Sequence, residues 1–418
     1  MSHNNGHTPL SRLPQRSDKR IALRVTPAAE RAIRQGHPWL FADAIQQQSH
    51  QGQAGDTAVI FDRKHRFLAV GLYDPYAPIR VRILHVGDPT LITPDWFRQK
   101  IAEAAARRQS LAASGHTTGY RLVHGENDGL PGLVIDRYDQ VYVMRLDTVA
   151  WVPHLNEALA GLTAVSGATQ VVLRLSRSVQ QIEDGLYGLK DGVLISGEPL
   201  PDPLYFQENG LIFEVDARQG QKTGFFLDQR DNRARVETLA AGKQVLNVFA
   251  YTGGFSLYAA RGGARQIVSL DISQPALAAA VRNFRLNREN TAVAQAAHDL
   301  LLGDAFHTLR QLSENRRRFD LVIIDPPSFA KKQEETARAL GAYARLARLG
   351  LDVLRPGGVL VMASCSSRVT AAAFFAQVHE AAVSVGRPLH EIERTFHPLD
   401  HPIGFKQGAY LKCLFAKT

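Results

Sequence analysis

FDLVIIDPPSF, residues Phe319–Phe329, is the stretch that decides how this chain folds. Leu321–Ile324 is apolar without alternation, which suits a strand buried on both faces of a helix-covered parallel sheet. The run then stops at Asp-Pro-Pro. Two prolines fix φ and remove two amide donors, so the loop is rigid and its carbonyls are left for a ligand. Outward from it the same rhythm repeats. VLNVFAYTGGF is strand into loop, QIVSLDI is strand and QPALAAAVRNFRLN is helix. After DPPSF a long helix runs to about Leu354, GGVLVMASC is strand and TAAAFFAQVHEAAVSVG is helix. The fold class expected from residue 205 onward is α/β, a doubly wound and mainly parallel sheet. LHEIERTFHP and AYLKCLFAK lack the helix that a parallel crossover needs. They are expected to pair as an antiparallel terminal hairpin at the sheet's edge.

Upstream the pattern divides in three. Residues 1–18 read as a mobile basic arm. Residues 19–92 read as a small, mostly β domain: RIALRVT alternates, AAERAIRQG is a helix ending at a glycine, and TAVIFDRKHRFLAVGLYD and IRVRILHV supply strands. Arg24, Arg80 and Arg82 are expected to be exposed on it. Residues 93–204 read as a small central α/β domain. It opens with the helix DWFRQKIAEAAARRQSLAA and continues with YRLVHGENDGLPGLVIDRYDQVYVMRL, a strand, a Gly/Pro turn and two strands. Residues 205–418 form the last domain.

The 418 residues carry 49 Lys and Arg against 40 Asp and Glu, a net charge of +9 and a pI near 9.6. That balance favours a polyanionic partner, because Lys and Arg displace the counterions condensed on phosphates. No window approaches the roughly 18 uninterrupted apolar residues of a membrane span, and MSHNNGHTPLSRLPQRSDKR lacks the apolar core of a secretory signal. Two cysteines exclude a disulfide framework and a four-thiolate iron–sulfur cluster. A reducing, cytoplasmic setting follows, with no metal and no membrane partner; a homodimer is compatible with the sequence.

Ligands of open α/β sheets bind at the carboxyl ends of the strands. AYTGGFS (Ala250–Ser256) lets the backbone approach a ligand through Gly253 and Gly254, or is an ordinary strand–helix turn. Asp271 closes the next strand, where a carboxylate accepts hydrogen bonds from ribose hydroxyls; helix capping is the alternative, although Ser273 suits that role better. In GDAF, Asp304 and Ala305 are placed to meet an adenine edge. DPPSF, Asp325 to Phe329, is the fourth end. The order of glycine loop, ribose acid, GDA and DPP is that of S-adenosylmethionine (SAM)-dependent methyltransferases. The glycine pattern of nicotinamide dehydrogenases is absent.

Cys365, in VLVMASCSSR (Val359–Arg368), is packing or nucleophile. It follows the strand next in sequence after the one ending at Asp325, with Ser364 and Ser366 beside it. Carbon-5 of a pyrimidine attacks a methyl donor only after a thiolate has added at C6, and an unperturbed thiol of pKa about 8.5 is only a few per cent thiolate at neutral pH. Cys413, mid-strand in YLKCLF, reads as packing. In FFLDQRDNR, Phe225 and Phe226 stack on a purine or staple the loop to the core. Arg230 and Arg233 meet an anionic ligand or pair with Asp228 and Asp231.

These residues resemble the RlmI-type family of large-subunit (23S) ribosomal RNA cytosine-C5 methyltransferases. That family joins an N-terminal PUA domain, a central α/β domain and a Rossmann-like class I methyltransferase domain. The resemblance runs through HPWLF (His37–Phe41), HGENDGLPGLVIDRY (His124–Tyr138), KTGFFLDQRDNR (Lys222–Arg233), NVFAYTGGFS, DPPSF, SCSS, DHP (Asp400–Pro402) and YLK (Tyr410–Lys412). It implies Cys365 as nucleophile and Asp325 as the group bonding N3 of the cytosine. Asn247, Phe249, Tyr251, Thr252, Gly253, Asp271, Ile272, Asp304 and Ala305 would bind SAM, with Gln229 beside its methionine part. Pro326, Pro327, Ser328 and Phe329, with Arg24, Arg80 and Arg82, would meet the RNA, either naked or within a ribosome assembly intermediate. A two-cysteine family of RNA cytosine methyltransferases has a second cysteine directly after Pro-Pro to help product release; here that position is Ser328. The rival readings are uracil-C5 methylation, methylation of a purine nitrogen, and a non-catalytic RNA-binding assembly factor.

Overall fold

The computed structural model describes residues 9–14, 16–330 and 332–418. The chain divides into two compact units. The first runs through Gly210 and adds Val215–Leu227 and Leu399–Lys406; the second comprises Leu211–Glu214, Asp228–Pro398 and Gln407–Thr418.

The first unit contains a six-stranded and a five-stranded sheet. One has six strands in the order Trp39–Phe41, Ile79–Val86, Phe67–Tyr73, Thr57–Phe61, Arg20–Val25 and Ile45–Gln48. Its alternation is visible in RIALRV, where Ile21, Leu23 and Val25 are buried. Helix Pro27–Arg34 starts where Thr26 Oγ1 accepts from the Ala29 amide at 3.3 Å, and it stops just before Gly36, whose φ is +85°. The other sheet has five strands in the order Val193–Ser196, Gln170–Leu175, Val141–Leu146, Leu133–Tyr138 and Gly119–His124. Helix Pro94–Arg107 covers part of the core around Phe97, Trp151 and Leu155.

Two expectations need correction here. Residues 1–8 and 15 of the expected arm lie outside the described residues. Pro9–Arg12, however, forms a 3₁₀ turn whose Leu10 is buried in the core, and Arg16 lies 3.8 Å from Glu157, so this part is docked. Arg82 is buried rather than exposed. Its guanidinium pairs with Glu126 at 2.7 Å, and Glu126 in turn accepts from Trp39 Nε1 at 2.8 Å. Arg24 and Arg80 are half-buried.

The HGEND and DHP motifs are structural. Fully buried Arg108 clamps Asp128 with contacts of 2.8 and 2.7 Å and donates to the Asp400 carbonyl at 2.9 Å. The Asp400 carboxylate accepts from the Arg121 amide at 2.9 Å, and Arg121 is bidentate on Asp136. Charges this deep persist only when each is paired and hydrogen-bonded.

The second unit is built on a seven-stranded sheet. Its strands are β1 (Gln244–Val248), β2 (Gln266–Asp271), β3 (Ala297–Leu302), β4 (Phe319–Ile324), β5 (Leu354–Ser364), β6 (His390–Thr395) and β7 (Lys412–Lys417). The order is β3-β2-β1-β4-β5-β7-β6. β1 to β5 are parallel, and β7 runs antiparallel to both β5 and β6, so the terminal hairpin lies at the edge as expected. Val245, Val322, Val361 and their neighbours are buried on both faces, the physical reason for their unbroken apolar runs. β3 is an edge strand that exposes most of its side chains, and its sequence AHDLLL does not alternate. The segment Leu399–Lys406, between β6 and β7, packs with the first unit.

Candidate active site

The carboxyl ends of β1, β2, β4 and β5 lie along one edge of the sheet. From β1 the chain enters Phe249–Gly253, where Phe249 (φ +61°), Tyr251 (φ +48°) and Gly253 (φ +78°) are all left-handed. Two non-glycine residues in that region within one short loop mark a strained, over-determined segment. Asp271 at the end of β2 holds it: one carboxylate oxygen accepts from the Tyr251 amide at 2.8 Å, the other from the Ser273 amide at 2.8 Å. Ser273 caps helix Gln274–Leu286. Asp271 is therefore a loop anchor, with lone pairs left over for a ligand.

A polar chain runs beneath this loop. Asn247 Nδ2 donates to Ser256 Oγ (2.9 Å), Ser256 Oγ lies 2.7 Å from Ser269 Oγ, and Ser269 Oγ lies 2.8 Å from His298 Nε2. Asn247 Oδ1 and Thr252 Oγ1 are buried and have no hydrogen-bond partner among the described residues. Buried polar atoms of this kind call for an explanation, and a polar ligand on the loop supplies one. Ile272, just beyond Asp271, is 73% exposed, an apolar surface at the same sheet edge. Asp304 caps helix Ala305–Glu314, accepting from the His307 amide at 2.9 Å, while Ala305 is buried. Gln229 is buried and accepts from Asn232 Nδ2 at 2.6 Å. These groups suit a nucleoside with a polar tail: a ribose acid, an exposed apolar side chain and unpaired polar atoms.

β4 and β5 carry the second half of the site. Their register pairs Ile324 with Met362, so Asp325-Pro-Pro and Ser364-Cys365-Ser366 leave the sheet side by side. The Asp325 amide lies 3.5 Å from the Val248 carbonyl. Cys365 Sγ is 4.0 Å from the Pro326 carbonyl. Ser328 Oγ and Ser366 Oγ both donate to the Ala330 carbonyl, at 3.2 and 3.5 Å, which ties the two loops together. Ser364 Oγ donates to Tyr343 OH at 3.0 Å. Burial is the main cause that pushes the Tyr343 hydroxyl up to about 12, so it stays protonated. Phe329 packs edge-on to Tyr343 (5.2 Å) and lies 6.4 Å from Phe306, over which Arg345 sits at 4.7 Å.

The two cysteines differ as their positions suggest. Cys365 is partly exposed, whereas Cys413 is wholly buried, and burial pushes its thiol well above the ordinary range. Lys412, unremarked by sequence reasoning beyond its place in YLK, has its ammonium buried under the Cys365 loop. It donates to the carbonyls of Ser366, Val369 (2.8 Å) and Tyr410 (3.0 Å). The signal available was a lysine directly before the apolar run Cys413–Ala416. Phe225 packs on Phe206 at 5.0 Å in the first unit, the stapling alternative. Arg230 is buried 3.4 Å from Asp231, and Gly254 lies against the Arg233 side chain.

Comparison with known proteins agrees with this fold. Residues 188–417 match the S-adenosylmethionine-dependent methyltransferase family and residues 23–85 the PUA-like domain. The chain is 48% identical over 406 residues to a protein of Deinococcus radiodurans named ribosomal RNA large subunit methyltransferase, covering 96% of this chain and 98% of that one. It is 36% identical over 399 residues to ribosomal RNA large subunit methyltransferase I of Pseudoalteromonas translucida, covering 95% and 99%. Two solved structures at 23% identity share the fold. One, from Streptococcus mutans, has a TM-score of 0.80 and covers 95% of this chain and all of that one; the other, a complex with SAH, has a TM-score of 0.81 and covers 96% and 100%.

Proposed function

This chain belongs to the S-adenosylmethionine-dependent methyltransferases whose curated relatives are named for large-subunit ribosomal RNA, and from that premise we propose that it methylates C5 of a cytosine in 23S ribosomal RNA through a covalent Cys365–C6 adduct. One observation carries the reading: a partly exposed cysteine stands at the end of β5 directly beside the Asp-Pro-Pro end of β4, its Sγ 4.0 Å from the Pro326 carbonyl. A uracil or purine-nitrogen enzyme of the same fold is the competing outcome.

The Phe249–Gly253 loop, Asp271, Ile272, Asp304 and Ala305 hold SAM, with Gln229 beside its methionine part. SAM supplies the methyl group that C5 receives. Asp325 holds N3 of the flipped-out ring, and the Pro326 and Pro327 carbonyls with Ser328 and Phe329 frame it. The Cys365 thiolate adds to C6, and the ring's electrons shift so that C5 becomes the nucleophile. Once C5 is methylated, its proton passes to a base, and the re-formed C5–C6 double bond expels the thiolate. Because Ser328 stands where a second cysteine would assist release, the Cys365 thiolate leaves C6 without that help. Residues 19–92, a PUA-like domain, bind RNA, residues 93–204 form the central α/β domain, and residues 205–418 carry the chemistry.

The test is transfer from labelled SAM into large-subunit RNA, naked and protein-bound, for wild type and Cys365→Ala. Labelled 5-methylcytidine that falls by more than about a thousandfold in the variant, the scale of losing an activated nucleophile, is the expected result. Label on a purine that survives the substitution overturns the cytosine reading.

A further inference from the structure

We propose that Lys412 is the positioning residue of this site: its buried ammonium clamps the Cys365 loop from below and favours the thiolate form of Cys365. The inference rests on the reading of Cys365 as the nucleophile.

Lys412 opens β7, opposite Ser364 of β5, and only 2% of it is exposed. A buried lysine ordinarily meets a carboxylate. Among the described residues Lys412 makes no ion pair. Its three N–H groups go instead to main-chain carbonyls, two of them, Ser366 and Val369, in the loop that follows Cys365, and the third in Tyr410 of its own segment. Carbonyl dipoles orient the ammonium and satisfy its donors, but they do not cancel its charge. The charge is left to act on the next acidic group, and Cys365 is one: burial lowers the Lys412 ammonium to about 8, and the Cys365 anion opposes that fall. The interaction is mutual, so whatever a thiolate does for the ammonium, the ammonium does for the thiolate.

The groups facing Cys365 from the packed elements argue for such a device. Asp325 at the end of β4 is acidic and works against a second anion. Tyr343 of helix Thr336–Asp352 stays neutral, and so does Cys413 of β7, each through burial. A cysteine placed beside a carboxylate needs a cation to ionise near neutral pH, and Lys412 provides one. The thiol proton leaves to solvent, and Lys412 keeps its own.

The experiment follows alkylation of Cys365 by iodoacetamide against pH on the full chain, read by mass spectrometry of the Cys365 peptide so that Cys413 does not contribute. The wild-type midpoint is expected below the ordinary thiol value of about 8.5. Lys412→Met should raise it by about one unit, making alkylation at pH 7 roughly tenfold slower. Lys412→Arg, which keeps the charge, should stay within about threefold of wild type. A folded K412M with the wild-type midpoint, or K412R and K412M shifted alike, overturns the proposal. Should K412M not fold, the wild type alone decides: a midpoint at or above about 8.5 sinks it. Alkylation needs neither SAM nor RNA. If C365A still transfers methyl groups, the nucleophile reading fails while the effect of Lys412 on the thiol is answered separately.

Discussion

Gly253 shows how little freedom a single residue has at this site. Its φ is +78°, and a Cβ there would sit 2.8 Å from the Ala280 Cβ on helix Gln274–Leu286. Gly253→Ala combines a left-handed backbone cost of about 1–2 kcal/mol with a clash against a neighbouring helix. It should lower the melting temperature by several degrees and weaken SAH binding at least tenfold, measured by thermal unfolding and calorimetric titration; unchanged SAH affinity would show that the loop does not touch the ligand. The same scale shows what a residue name conveys. Glycine after a buried strand, and Asp-Pro-Pro after another, are readable because glycine adopts a left-handed backbone at no steric cost and proline fixes φ and removes a donor. Cys365 and Cys413 are one residue type in two environments. The sequence separates them only by position, strand end against strand middle, and burial then accounts for the difference in chemistry.

At the scale of elements, β1, β2, β3 and helix Gly254–Arg261 are stitched by the chain Asn247–Ser256–Ser269–His298. His298 stacks on Phe284 at 3.8 Å, and burial lowers its imidazole from 6.5 to about 4. A histidine whose folded pKa lies below its unfolded value stabilises the fold while neutral. That contribution is complete above about pH 6.5 and is lost as pH falls toward 4. Because the ring keeps some solvent access, the full linkage value is discounted to about 1–2 kcal/mol. In urea unfolding, wild type should lose that much more stability than His298→Gln between pH 7.5 and 4.5; parallel losses would place the pH dependence elsewhere. None of this relay is legible in the sequence, because its members are small polar residues 9 to 51 positions apart. β3 is obscure for a related reason: AHDLLL is an edge strand without alternation, so no periodic signal marks it. The buried parallel strands announce themselves because burial on both faces demands unbroken apolar runs.

For the molecule as a whole, the excess of positive charge points to a polyanionic partner but does not say which arginines would meet it. Arg80 and Arg82 lie two apart in IRVRILHV and so share one face of the strand, which makes them look equivalent. Arg82 is set apart by Glu126, a partner 44 residues away that no local pattern reveals, whereas Arg80 donates to the nearby Asp74 carbonyl at 3.0 Å and lies over the Tyr73 ring, and Arg24 reaches Gln47 at 3.5 Å. The substitutions should therefore separate. Arg82→Ala removes the cation paired with the Glu126 carboxylate, leaving it the Trp39 Nε1 donor, and should cost about 3 kcal/mol of stability, at the low end for breaking a buried pair. The double variant Arg24→Ala/Arg80→Ala should melt within a few degrees of wild type. It should nonetheless bind a fluorescent single-stranded ribosomal RNA fragment several-fold more weakly at 100 mM KCl. Each arginine that ceases to neutralise a phosphate of a single strand takes about 0.7 off the slope of log affinity against log salt, so two should flatten it by about 1.4. Anisotropy titrations from 50 to 200 mM KCl measure that slope directly, and a double variant with the wild-type slope would mean that the RNA does not cross this face of the first unit.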